Sequence, residues 1–221
     1  VTDDAIVDEV SYILNDIEGI YYDHYPDEYA PIQFINEDIH RLNEYLSAGR
    51  YFYKQLREEG IFLYNTGKYK LARCRKLRYA EIKQQAEEYF EQKYDWALGF
   101  QKGAMFSFEQ GNYDMCSYML QQACENLFIT VRLVFTLENS REHDLSRLLD
   151  SVRKYSDEFI NIFPRKTKEE KRLFNLLKAA YIEGRYNLRF EVTREDIESL
   201  LPVVERFFEF VKEICMRKIE E

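Results

Sequence analysis

The chain has 221 residues, with 40 Asp and Glu against 31 Lys and Arg, which gives a formal net charge of −9 at pH 7. A general nucleic-acid binder needs a basic face, so this charge argues against one and leaves room only for local contacts to a nucleotide. No stretch has the length and hydropathy of a membrane span, no signal peptide is evident, and the four cysteines form no ligand-spaced cluster. We therefore expect a cytoplasmic globular protein with buried free thiols.

Residues 1–69 are predicted to mix short helices with short strands. Apolar residues recur at helical spacing in "VTDDAIVDEVSYILNDI" and in "NEDIHRLNEYL", and a third short helix ends near Gly60. The apolar runs "PIQFI" and "IFLY" are strand candidates. Two such strands are too few for a complete α/β domain, so this region is expected to be a small α/β segment.

From about Lys70 onward the pattern is helical only, and the domain boundary is placed between residues 69 and 70. Five helices are predicted, joined by short turns; the last two begin with capping boxes at Thr167 and Thr193, and Pro202 is expected to kink the fifth. Gly99 and Gly103 lie four residues apart on the long first helix and would let another helix approach closely. The predicted fold is mainly α, a five-helix antiparallel up-down bundle over residues 70–221.

Four features of the bundle occur in a recognisable order. A long first helix is followed by "QQA-x-E", which places Gln122 and Glu125 on the second helix; "EHDLSRLL" then supplies His143 and Asp144, and "YIEGRYN" supplies Arg185 and Tyr186. In this order they resemble the HEPN family, named for its occurrence in eukaryotic and prokaryotic nucleotide-binding proteins. The resemblance implies a domain that binds a nucleotide or small-molecule substrate and pairs into a homodimer through its helices. It implies these candidate binding residues: Arg185, Tyr186, His143, Asp144, Glu125 and Gln122.

The region before the bundle resembles the rear half of a nucleotidyltransferase domain, which often precedes HEPN in one chain. That family needs Gly-Ser and then Asp-x-Asp, because two carboxylates one residue apart on a strand point the same way and together hold a metal ion. The sequence contains neither motif. The resemblance therefore implies catalytic acids upstream of this chain. It implies no catalytic residue, metal site or cofactor within it, with Mg²⁺ and a nucleoside triphosphate belonging to the full-length protein.

Two other functions stay open, and each candidate residue has a simpler interpretation. The chain is alternatively a non-catalytic, antitoxin-like interaction or dimerisation module. A HEPN ribonuclease is disfavoured, because such enzymes place His after Arg and four to six intervening residues, whereas the count from Arg185 reaches Phe190, Glu191 and Val192. His143 and Asp144 are also suited to cap a helix start and Arg185 a helix end. Glu125, next to an apolar stripe, is expected to pair with Arg185 or a backbone donor.

Overall fold

The computed structural model describes residues 7–24, 34–139, 142–182 and 191–221. The chain divides into two compact units, one ending at Leu77 and the other running from Arg78 to Glu221. Within the described ranges, none of the helices combines the length and the hydropathy needed to cross a membrane.

The described part of the first unit contains the helices α1 at Val7–His24, α2 at Ile39–Ser47 and α3 at Tyr51–Glu59, with irregular backbone between and after α2 and α3. Asp38 caps the start of α2: its Oδ1 accepts hydrogen bonds of 2.9 Å from the backbone N–H groups of His40 and Arg41. A small apolar core forms on one face of α2, where the residues at helical spacing are buried: Ile39, Leu42 and Leu46.

The predicted strand "IFLY" is wrong. Residues 61–64 have irregular backbone, and their side chains are 63–95% exposed. A strand is stable only when a neighbour pairs its backbone and a core covers one face, and the described residues supply neither to this run. Of "PIQFI", residues 31–33 lie outside the described ranges, and Phe34 and Ile35 are irregular. The described residues thus contain no sheet, and the expected α/β character of this unit is not present in them.

The second unit confirms the predicted helices. Its elements are α4 at Tyr79–Glu109, α5 at Tyr113–Thr136, α6 at Leu145–Val152, α7 at Glu158–Ile162, α8 at Lys168–Ala179 and α9 at Arg194–Glu220. The short α7 was not predicted. Both capping boxes form: Thr167 Oγ1 accepts from the N–H of Glu170 at 3.1 Å, and Thr193 Oγ1 from that of Asp196 at 3.2 Å. Helix α9 continues through Pro202.

Helix α5 is the centre of this unit, because it contacts α4, α6, α8 and α9. Its Phe128 is fully buried, with its ring centroid 4.6 Å from that of Phe207 on α9. The start of α4, at Tyr79 and Ile82, lines one cavity with the end of α5 at Val134, so the two helices are antiparallel. A polar side chain on α5 is therefore buried wherever a neighbouring helix covers it.

The glycine pair on α4 has two different environments. A Cβ at Gly103 would lie 2.6 Å from the Met119 Sδ on α5, so this glycine permits the close approach of the two helices. A Cβ at Gly99 would meet nothing within 4 Å. The thiols of Cys116, Cys124 and Cys215 are buried as expected; Cys74 is exposed.

Candidate functional site

A buried carboxylate on α5 organises the polar residues of the second unit. The Glu125 side chain is only 8% exposed. Its Oε1 lies 2.9 Å from His143 Nδ1, and its Oε2 accepts hydrogen bonds from Gln121 Nε2 at 3.1 Å and Gln122 Nε2 at 3.5 Å. An unpaired carboxylate at such a position would be costly, so these three donors are what makes its burial tolerable. The predicted pairing of Glu125 with Arg185 stays a prediction, because Arg185 lies outside the described residues.

The two glutamines extend this arrangement along α5. Gln121 is fully buried, and its Oε1 accepts a 2.7 Å hydrogen bond from Gln122 Nε2. Gln121 and Glu125 lie four residues apart, so their side chains occupy the same face of the helix. The amide groups thereby fix the carboxylate in position and leave Oε1 for the histidine. Gln121 was not among the predicted site residues, although it belongs to the same "QQA-x-E" segment.

His143 lies in the connection before α6, with its ring held over Glu125. A carboxylate oxygen accepts, so Nδ1 is the donor, and Nε2 is the acceptor nitrogen of the neutral ring. The side chain is 55% exposed. Its ring lies parallel to that of Tyr181, with 5.4 Å between centroids and 6° between planes. His143 is therefore not a helix cap but a half-exposed imidazole with a defined orientation.

Asp144 is the residue that caps α6. Its Oδ1 accepts from the backbone N–H groups of Ser146 at 2.8 Å and Arg147 at 3.1 Å, and its Oδ2 lies 3.4 Å from Lys178 Nζ. Burial alone would raise the pKa of Asp144, but the backbone hydrogen bonds and the Lys178 charge outweigh it and hold this pKa below its ordinary value. The ammonium of Lys178 is thereby placed beside the α6 start.

The Glu142 side chain holds the backbone at His143 and Asp144 by hydrogen bonds. Its Oε1 accepts from the N–H groups of His143 at 3.1 Å and Asp144 at 3.0 Å, and its Oε2 accepts from Arg147 at 3.1 Å. These bonds, led by the one from the Asp144 backbone, lower the pKa of Glu142. His143 is thus held at two points, its backbone by Glu142 and its ring by Glu125.

The predicted residues that the structure describes come together. Gln122, Glu125, His143 and Asp144 form one group with three residues that sequence reasoning missed, namely Gln121, Lys178 and Tyr181; we call this set the Glu125–His143 cluster. Arg185 and Tyr186 lie outside the described residues. Lys178 lies in the last turn of α8 and Tyr181 lies just after that helix, shortly before "EGRY", and this closeness in sequence was the available signal for them.

The chemistry available to the cluster is binding and proton exchange. Across the described ranges, no three His, Cys, Asp or Glu residues are grouped so that they could hold a metal ion. The accessible groups are the half-exposed imidazole, with one face stacked against Tyr181, and the partly exposed Lys178 ammonium. Such a surface accepts a planar group by stacking and an anionic group by charge.

Comparison with known proteins places this helical unit in a family. The model of the HEPN domain matches residues 90–214, which is more than half of the chain and includes the whole Glu125–His143 cluster. None of the curated proteins searched matches the chain. The match agrees with the helix order and with the segments that carry the resemblance in the sequence. The chain belongs to the HEPN domain family.

Proposed function

We propose that the helical unit binds a nucleotide at the Glu125–His143 cluster. The observation that carries this proposal is the parallel ring pair of His143 and Tyr181, anchored on the buried Glu125 carboxylate beside the Lys178 ammonium. A planar base stacks on the half-exposed imidazole face, and the phosphates lie toward Lys178. Glu142 and Asp144 are negatively charged, and each is paired with a cation, Glu142 with Arg147 at 3.1 Å and Asp144 with Lys178 at 3.4 Å.

The energetics of this arrangement favour a modest but specific affinity. Stacking of one base on an aromatic side chain contributes about 1–3 kcal/mol. Because His143 is already held by Glu125 and Glu142, the ring loses little conformational freedom when a ligand arrives, which lowers the entropic cost of binding. Arg185 and Tyr186, the fourth and fifth residues after Tyr181 in the sequence, are proposed as further ligand contacts.

The function proposed for this chain is binding, not transfer of a nucleotidyl group. The sequence has no Gly-Ser and Asp-x-Asp pair with which to hold Mg²⁺ against a triphosphate. In a nucleotidyltransferase–HEPN protein, those acids and the Mg²⁺–nucleoside triphosphate would belong to the upstream domain. The helical unit would then hold the nucleotide or the acceptor substrate.

Isothermal calorimetry with ATP and Mg²⁺ tests the proposal. We expect saturable binding that Tyr181→Leu and Lys178→Gln each weaken by roughly five- to a hundredfold, the equivalent of about 1–3 kcal/mol. Tyr79→Leu is the matched control, since Tyr79 is an exposed tyrosine at the start of α4. Absence of heat with purine and pyrimidine triphosphates would refute nucleotide binding, as would equal weakening by the control.

A second function, self-association as an interaction module, is favoured by the outer face of α4. Trp96 is 54% exposed and Phe106 is 65% exposed, and Gly99 lies between them with open space around it. Asp95 and Lys102 flank this glycine four residues before and three residues after it. When two copies of α4 pair antiparallel about the midpoint between Leu98 and Gly99, each Asp95 lies opposite the Lys102 of the other copy. The stripe is thus self-complementary in both shape and charge.

Sedimentation velocity measures this second function directly. We expect a dimer of the wild-type chain and a monomer of Phe106→Asp, because the new charge would be buried without a partner. Ile160→Asp changes an exposed apolar residue on α7 and should leave the dimer intact. A wild-type monomer at about 100 µM, a concentration at which even weak specific pairs associate, would rule out the pairing.

A further inference from the structure

We propose that His143 and Glu125 form a proton-accepting dyad, in which His143 Nε2 removes a proton from a hydroxyl or water nucleophile. The natural substrate of this dyad rests on the proposed function, since it would be the ligand bound at the Glu125–His143 cluster. In this role His143 is a catalytic residue and Glu125 is a positioning residue. The dyad would add acid–base chemistry to a site for which nucleotide binding alone is proposed above.

The tautomer of the His143 ring suits it to act as a general base. Nδ1 donates to Glu125 Oε1 at 2.9 Å, so the lone pair of a neutral imidazole lies on Nε2. No hydrogen bond occupies Nε2 within the described part of the chain. When Nε2 takes up a proton, the positive charge that forms lies next to a buried carboxylate, which stabilises it. A carboxylate on the inner nitrogen and a free outer nitrogen are the requirements of a general base.

The Glu125 and His143 side chains are both held in place, which also suits them to catalysis. Glu125 cannot rotate away, because Oε2 is bonded to Gln121 and Gln122. The imidazole cannot rotate freely, because Tyr181 lies parallel to one of its faces. Catalytic groups gain from such fixation, since no reorganisation is needed when charge develops. The charged and titratable groups around the ring come from the connection to α6 and from α5, α6, α8 and the residues after α8: Glu125, Glu142, Asp144, Arg147, Lys178 and Tyr181.

The chemical step is a proton transfer coupled to attack on an ester. The O–H proton of the nucleophile moves to Nε2 while its oxygen forms a bond to the phosphorus or acyl carbon of the substrate. The bond from that atom to the leaving oxygen breaks, and the leaving group departs with the electron pair. The proton on Nε2 then passes to the leaving group or to water, which restores the neutral ring.

Hydrolysis of 4-nitrophenyl acetate tests the dyad without any nucleotide. Water supplies the nucleophile, and the products are acetate and 4-nitrophenol, which is followed by absorbance. We expect His143→Gln to lower the protein-dependent rate by about tenfold or more, the lower end of what general base catalysis contributes. His24→Gln is the matched control: His24 is exposed, and its Nδ1 lies 3.0 Å from the Ile20 carbonyl oxygen. It should leave the rate unchanged.

The positioning role of Glu125 needs a readout beyond loss of rate. Glu125→Gln keeps the side-chain size but removes the charge, so we expect a lower rate and a changed pH–rate profile with unchanged circular dichroism. With added imidazole, the rate of His143→Gly should exceed the sum of the rates that the variant and imidazole give separately, and the wild-type rate should fall in D₂O. An unchanged rate in His143→Gln, or an equal loss in His24→Gln, would overturn the proposal. A wild-type pH profile and rate in Glu125→Gln would do the same.

The outcome separates this inference from nucleotide binding. If ATP produces no heat but ester hydrolysis depends on His143, nucleotide binding fails and the dyad stands. If ATP binds but ester hydrolysis does not depend on His143, the dyad fails and nucleotide binding stands.

Discussion

Two alanine substitutions on α4 test the packing on which the site depends. Gly99 and Gly103 lie on the same helix, four residues apart, but only Gly103 approaches another helix. An added Cβ at Gly103 would lie 2.6 Å from Met119 Sδ and 3.3 Å from its Cε, whereas one at Gly99 would contact nothing within 4 Å. The two changes are therefore identical in chemistry and different in packing.

The expected magnitudes have opposite signs. In a helix interior, Gly→Ala stabilises by roughly 0.5–1 kcal/mol, because it reduces the entropy of the unfolded chain. Gly99→Ala should gain this amount in full. Gly103→Ala must also displace the Met119 thioether, and overpacking of this kind costs about 1–3 kcal/mol. The flexible methionine absorbs part of it, so we expect Gly103→Ala to be destabilising by up to about 2 kcal/mol.

Urea unfolding followed by Trp96 fluorescence measures both variants, since Trp96 is the single tryptophan and lies on α4. Low protein concentration keeps self-association from contributing. In a Met119→Ala background, Gly103→Ala should destabilise the protein much less than it does in the wild type, because the side chain that it displaces is gone. Equal stabilisation by the two alanines would refute the close approach of α4 and α5 at Gly103.

Three further predictions concern thiols, pH and RNA. A thiol reagent should modify only Cys74 rapidly in the native protein. Burial raises the pKa of Cys116 to about 11, and it also raises the pKa values of Cys124 and Cys215, which are equally inaccessible. Rapid modification of all four thiols would contradict the fold. Burial tends to raise the pKa of Asp196, but hydrogen bonds from Arg172 and the Thr193 backbone hold it below its ordinary value. Asp196 therefore stabilises the folded state above about pH 4, and this stabilisation is lost on further acidification. In Asp196→Asn, the free energy of unfolding should fall less steeply as the pH is lowered. Single-stranded RNA should remain intact with this chain on a denaturing gel, and cleavage that Arg185→Ala abolishes would restore the ribonuclease interpretation.

The helices of the second unit could be predicted because each carries its own signals. The apolar stripe of α5 and the capping boxes at Thr167 and Thr193 are local, so periodicity and end residues suffice to find them. The strand expected at residues 61–64 failed because a strand depends on a partner that no local pattern supplies. A short apolar run has the same composition whether it is paired or exposed.

The site was predictable only in part, and through resemblance rather than spacing. "QQA-x-E" and "HDL" pointed to Glu125 and His143, but nothing local brings residues 18 apart into a 2.9 Å contact. Lys178 and Tyr181 join the cluster because the end of α8 and the residues after it contact Asp144 and His143. That contact is a property of the assembled bundle, which explains why these two residues were missed.

The central claim, that a nucleotide binds against His143, is tested most directly by proton NMR of the imidazole rings. The chain has three histidines, His24, His40 and His143, so the ring signals are few and are assigned by single Gln variants. On titration with ATP we expect the His143 signals to shift saturably, with those of His24 and His40 unmoved. Shifts confined to His24 or His40, or no shift at any ring at saturating ATP, would contradict the account.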